Sequence, residues 1–238
     1  LRRQRQMCIR DRSYSTELQK ALNIYRCLEQ NSYGIYISDE NAIKEEKEVL
    51  GERKTGAENI LLYGVPGSGK SHERKTKYCN DEKMMERVVF HPDYTYSDFV
   101  GQILPRVEKD KDGNEKLKYV FTPGPFTRML KKAQEDPSNH YYLVIEELNR
   151  GNAPAIFGEI FQLLDRKDED EFPAEEVGES EYGISNYDVA KEVYGDENHP
   201  VRIPSNMNIL ATMNTADQNV FTLDTAFLRR WSTRQIEN

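Results

Sequence analysis

Residues 64–71, Gly64-Val65-Pro66-Gly67-Ser68-Gly69-Lys70-Ser71, constrain what this chain can fold into more than any other stretch. They follow a short apolar run, Asn59 to Tyr63 (NILLY), and precede a helix expected over Lys70 to Cys79. Glycines let a backbone wrap closely around an anion and aim its N–H groups inward. A helix that begins there adds its positive N-terminal end. A lysine supplies a point charge for the outer phosphates, and the following hydroxyl can meet Mg²⁺. The spacing G-x-x-x-x-G-K-[ST] between a strand and a helix is therefore a cradle for a triphosphate. All eight residues from Gly64 to Ser71 are candidate nucleotide-binding residues, with Ser71 also a candidate metal ligand.

Further along the chain, apolar runs alternate with helical patterns. Strands are expected at Arg87 to Phe90 (RVVF), Tyr141 to Ile145 (YYLVI) and Met207 to Met213 (MNILATM). Helices are expected at Ser15 to Asn31, Glu40 to Leu50, Pro125 to Gln134, Ala153 to Asp165 and Leu223 to Trp231. Val107 to Phe121 reads as a hairpin turning at Asp112-Gly113. The acidic stretch Arg166 to Asn186 has few large apolar residues and is expected to be a surface loop. Nearly continuous apolar strands between helices predict an α/β domain, a three-layer αβα arrangement around a mainly parallel sheet. Ligands in such sheets sit at the carboxyl ends of the strands.

The remaining chemistry falls at those ends. YYLVI runs into Glu146-Glu147. One carboxylate there supports Mg²⁺ and the second polarises an attacking water. Glu146 is the candidate metal residue and Glu147 the candidate catalytic one. MNILATM ends at Asn214, whose neutral amide can hold both a water and a γ-phosphate without adding negative charge. Arg229 and Arg230 close the last helix, where a guanidinium could stabilise transition-state charge. Ser71, Glu146, Glu147, Asn214 and the two arginines, in this order after a phosphate cradle, are the signature of nucleoside-triphosphate hydrolysis.

The run Ile145-Glu146-Glu147-Leu148-Asn149-Arg150-Gly151-Asn152, followed by Met213-Asn214-Thr215-Ala216-Asp217 and then LDTAFLRRW, resembles the McrB family of AAA+ proteins. The segments FHPDYTYSDFV (90–100) and Pro123-Gly124-Pro125-Phe126 add to it, and the likeness runs from about Asn59 to Trp231. The resemblance implies a P-loop AAA+ domain in which Glu146 and Glu147 are Walker B and Asn214 is sensor 1. It implies that Arg229 or Arg230 acts on a neighbouring subunit's nucleotide in a homo-oligomeric ring, usually a hexamer. It also implies a separate McrC-like nuclease partner, with ATP or GTP as substrate and Mg²⁺ as cofactor. One departure is Glu146, where such enzymes usually carry Asp. Two other functions fit a P-loop chain: a MoxR-like remodelling ATPase and a non-catalytic nucleotide-gated scaffold. The Asn149-Arg150-Gly151 and MNTAD runs favour the restriction-type motor over the first. Lys70, Glu147 and Asn214 argue against the second.

Composition narrows the partners. Of the 238 residues 31% are charged, with a formal net charge of -8, so contact with DNA is expected only through local loops, a partner or other domains. No apolar run approaches the roughly 18 residues of a membrane span, and no membrane partner is expected. Cys8, Cys27 and Cys79 lack metal-ligand spacing and read as free thiols of a cytoplasmic protein. The chain divides into Leu1 to Arg12, a patternless stretch expected to be a non-native read-through or else a basic tail; a helical segment over 13–55; and the AAA+ domain over 56–238, expected without its C-terminal helical lid.

Overall fold

The computed structural model describes residues 51–109, 115–216 and 220–237. The expected non-native stretch, the helices before Gly51, the Asp112-Gly113 turn and Asp217 lie outside them. The elements run in the order β1 (Asn59–Gly64), α1 (Lys70–Glu73) continued by a wider π turn (Arg74–Tyr78), β2 (Met85–Val89), α2 (Tyr96–Phe99), β3 (Gly101–Lys109) and β4 (Glu115–Pro123). Then come α3 (Pro125–Glu135), β5 (Tyr141–Glu146), α4 (Ala153–Phe157), α5 (Tyr187–Tyr194), β6 (Met207–Asn214), α6 (Thr225–Leu228) and β7 (Ser232–Gln235).

Five strands form one sheet in the order β2-β5-β6-β1-β7. Every pairing within it is parallel. Crossovers between parallel strands need helices, and these cover the sheet. On one face Leu61, Leu143, Ile145, Ile209 and Ala211 pack under α3, α4 and α5. Phe126, Met129, Leu130 and Ala133 recur at helical spacing along α3 and are completely buried. On the other face Ile60, Leu62, Val144 and Leu210 pack with Tyr78 from the π turn. This is the expected αβα P-loop architecture. The register places Gly64 opposite Asn214 and Ile145 opposite Ala211. The glycine loop, Glu146 and Asn214 therefore leave the sheet at one edge, the edge where an α/β sheet binds ligands.

Three expectations change. The helix over Ala153 to Asp165 breaks at Gly158, whose φ of 51° leaves the helical region. A Cβ there would meet the Tyr96 ring at 2.8 Å, so the break needs glycine, and the chain continues as a tighter 3₁₀ turn over Gly158–Leu164. The last helix keeps only Thr225–Leu228, and the chain then adds β7 beside β1. All four residues of β7 (Ser232–Gln235) are exposed, so no apolar alternation announced it. The acidic stretch is only partly a surface loop. Asp168 to Glu175 lie at the surface apart from half-buried Phe172, whereas Ser180 is completely buried and Ile184 nearly so. Arg166 is half-buried and donates to Asn59 Oδ1 (3.0 Å), the Gly178 carbonyl (2.8 Å) and the Met207 carbonyl (2.9 Å). Burial pushes its pKa down to about 9, which still leaves it charged at neutral pH. A guanidinium with three carbonyl acceptors thus ties the start of the acidic stretch, and Gly178 within it, to the base of β1 and β6.

Candidate active site

The loop between β1 and α1 takes the shape its glycines allow. Gly67 and Gly69 have φ of 85° and 90°, a region closed to most side chains. Gly64 is required for a different reason: a Cβ would lie 2.5 Å from the Ile236 carbonyl oxygen, so the chain beyond β7 presses against the loop's first residue. Lys70 folds back over the loop, its Nζ donating to the carbonyls of Gly64 (3.0 Å) and Val65 (2.8 Å).

A cleft of 390 Å³ brings Lys70, Ser71, Glu146, Glu147, Thr212 and Asn214 together around that loop. Glu147 is the only non-glycine residue with positive φ among the described residues (57°). Such a conformation costs on the order of 1–3 kcal/mol and persists where neighbours impose it. Here Asn214 Nδ2 donates to both carboxylate oxygens of Glu147, at 2.9 and 3.1 Å. Arg150 Nε lies 3.2 Å from Glu147 Oε2. Glu146 meets a different cation, Arg87 Nε of β2, at 3.4 Å. The two acids of the pair thus line one cleft but meet different cations. Ser71, Glu146 and Thr212 give the cleft hard oxygen donors. That set fits a Mg²⁺ ion, which takes one or two protein oxygens and completes its shell with phosphate and water.

The two arginines differ. Arg230 turns into its own domain: Nη2 pairs with Asp165 Oδ2 (2.8 Å), Nη1 donates to the Ala226 carbonyl (2.7 Å), and the guanidinium lies 4.0 Å from the Phe161 ring centroid. Its side chain is 10% exposed. Arg229 is exposed. We expect Arg230→Ala to cost about 2–4 kcal/mol, because it strands Asp165 and uncovers Phe161. Arg229→Ala should stay within about 0.5 kcal/mol of the wild type. Urea unfolding midpoints of the two variants check this, and equal midpoints would show that the Asp165 pair contributes nothing.

Thr212 and Arg87 were not singled out in the sequence. Thr212 is one polar residue within an apolar strand, and Arg87 sits in a run that reads only as a strand. Neither carries a local signal: Thr212 lines the cleft, and Arg87 meets Glu146, only because parallel pairing sets their strands beside the others.

The chain matches the family model described as AAA domain (dynein-related subfamily) across residues 59–231. It is similar to the type II restriction enzyme BsuMI component YdiS of Bacillus subtilis (strain 168), at 39% identity over 75% of this chain and 57% of that protein. It is also similar to the type IV methyl-directed restriction enzyme EcoKMcrB subunit of Escherichia coli (strain K12), at 29% identity over 89% of this chain and 41% of that protein. The chain thus spans about half the length of the relatives it matches. With a family match over most of its length and a glycine loop at the edge of a parallel sheet, this chain belongs to the AAA domain family, dynein-related subfamily, as a McrB-type P-loop NTPase domain.

Proposed function

We propose that this chain hydrolyses a nucleoside triphosphate, ATP or GTP, with Mg²⁺, as the ring-forming motor subunit of a McrBC-like restriction complex. The observation that carries the reading is the single cleft holding Lys70, Ser71, Glu146, Glu147 and Asn214. In this reading Lys70 exchanges the Gly64 and Val65 carbonyls for phosphate oxygens. Ser71 and Glu146 would hold Mg²⁺, which when bound would offset negative charge on the triphosphate. Glu147 accepts a hydrogen bond from the attacking water and orients its lone pair toward the γ-phosphorus. The bond to the β-phosphate oxygen breaks as the new P–O bond forms. Asn214 keeps the Glu147 carboxylate in place. Arg229, exposed beyond α6, is the residue offered to a neighbour's γ-phosphate, while Arg230 anchors the segment that presents it.

Both relatives are named as restriction components, which supports a defence role with a separate McrC-like nuclease, in the cytoplasm, and with DNA reached through that partner or other domains. Among the described residues, no helix is long and apolar enough to cross a membrane. Phosphate release from ATP and from GTP, with Mg²⁺ and with EDTA, over a range of protein concentrations, tests the reading. Release should require Mg²⁺, favour one base, and rise more steeply than protein concentration as subunits meet. No release from either nucleotide at any concentration overturns it.

A further inference from the structure

The short turn Leu148–Arg150 joins the end of β5 to the rest of the domain, and Asn149 within it is buried, at 4% exposure. Its Nδ2 donates to the backbone carbonyl of Asn214 at 3.0 Å. Its own backbone carbonyl accepts from the Phe221 N–H at 2.8 Å. One residue therefore holds two other segments: the end of β6, which carries Asn214, and the chain that leads into α6 and Arg229. Asn214 in turn holds Glu147 through its side-chain amide.

The choice of asparagine is informative. Among the described residues Asn149 Oδ1 is buried without a hydrogen-bond partner. Turning the amide over would set that oxygen against the Asn214 carbonyl, so the donating orientation is the one the site requires. A buried acceptor left unpaired is unfavourable, and an apolar side chain of similar size would fill the space without it. The amide is retained for the bond it makes to Asn214.

We infer that Asn149 is a positioning residue for hydrolysis: it fixes the Asn214 backbone so that the Asn214 amide orients Glu147, and it ties that geometry to the segment bearing Arg229. Asn149 does not line the cleft, and the inference rests on the proposed function, in which Glu147 and Asn214 serve the attacking water. Small losses of placement at such a site cost far more than the energy of the lost contact, up to about a hundredfold in rate.

Asn149→Asp tests it, because Asp has nearly the same shape but, when ionised, offers only acceptors to the Asn214 carbonyl. In the full chain, nucleotide affinity should stay within about twofold of wild type, while kcat falls about 10- to 100-fold. Lowering the pH from about 8 to about 5.5 should restore part of the loss relative to wild type, because the protonated carboxyl donates where the amide did. The loss should not add to that of Asn214→Ala, since both act through one carboxylate. Additive losses, or a pH-independent ratio to wild type, overturn the inference. A readout free of turnover separates it from the proposed function. By NMR without nucleotide, the Asn214 side-chain amide should shift and exchange faster in Asn149→Asp. An unmoved signal overturns the positioning role even if hydrolysis is intact. A wild type that hydrolyses nothing overturns the proposed function, with the NMR arm still deciding the tie.

Discussion

Glu147→Gln should bind nucleotide as the wild type does and turn it over on the order of a hundredfold or more slowly, the loss expected when a catalytic base is removed. Glutamine keeps the size and the left-handed backbone that Glu147 already tolerates, and it still offers Asn214 an oxygen. What it lacks is the negative charge that draws a proton from water. The Arg150 contact at 3.2 Å loses its ionic character as well, but that pair is half exposed and contributes little to the fold. Lys70→Ala should fail earlier, at binding, because the amine that now rests on the Gly64 and Val65 carbonyls is the one set to meet the phosphates. Nucleotide affinity measured beside turnover for both variants separates the two failures. Turnover at the wild-type rate by Glu147→Gln removes Glu147 from the mechanism.

Mixing Lys70→Ala subunits with Arg229→Ala subunits should recover activity that neither has alone. The first holds no substrate but still offers Arg229, whereas the second holds substrate but lacks the neighbour's arginine. A guanidinium supplied in trans is worth about 10³ to 10⁵ in rate, so each parent should be nearly silent. In a random equal mixture about a quarter of the interfaces pair a competent cradle with a competent arginine, and the recovered rate should approach that fraction of wild type. Arg230 is left in place in this experiment because its pairing with Asp165 and Phe161 makes its loss a folding defect. No recovery from the mixture, with both parents folded and able to associate, would show that the site is not shared between subunits.

The αβα class and the strands β1, β5 and β6 were legible because each is an apolar run bounded by breakers, a signal local in the chain. The failures fall where the deciding contact is distant. The break falls at Gly158, where the Tyr96 ring, more than sixty residues upstream, leaves no room for a Cβ. The polar strand β7 exists because β1 offers an edge, not because Ser232–Gln235 prefer to be extended. The acidic stretch looked like a loop because its charges outnumber its apolar residues. What draws parts of it inward is a set of hydrogen bonds around Arg166 and Ser180 that no periodicity encodes.

By itself the sequence determined the glycine loop and the acid pair, because both lie in contiguous residues: the loop's glycines, Lys70 and Ser71 need only covalent spacing and a helix start. It also determined that an arginine pair follows Asn214, but not which member faces outward. Consecutive residues near helical backbone point about 100° apart, so two adjacent arginines face different surroundings. Only packing against Asp165 and Phe161 decided that Arg230 is the one that turns inward. The same holds for Asn149. Its asparagine is visible in the chain, but its tie to Asn214 joins the ends of two strands brought side by side by parallel pairing, and only the tertiary structure supplies that juxtaposition.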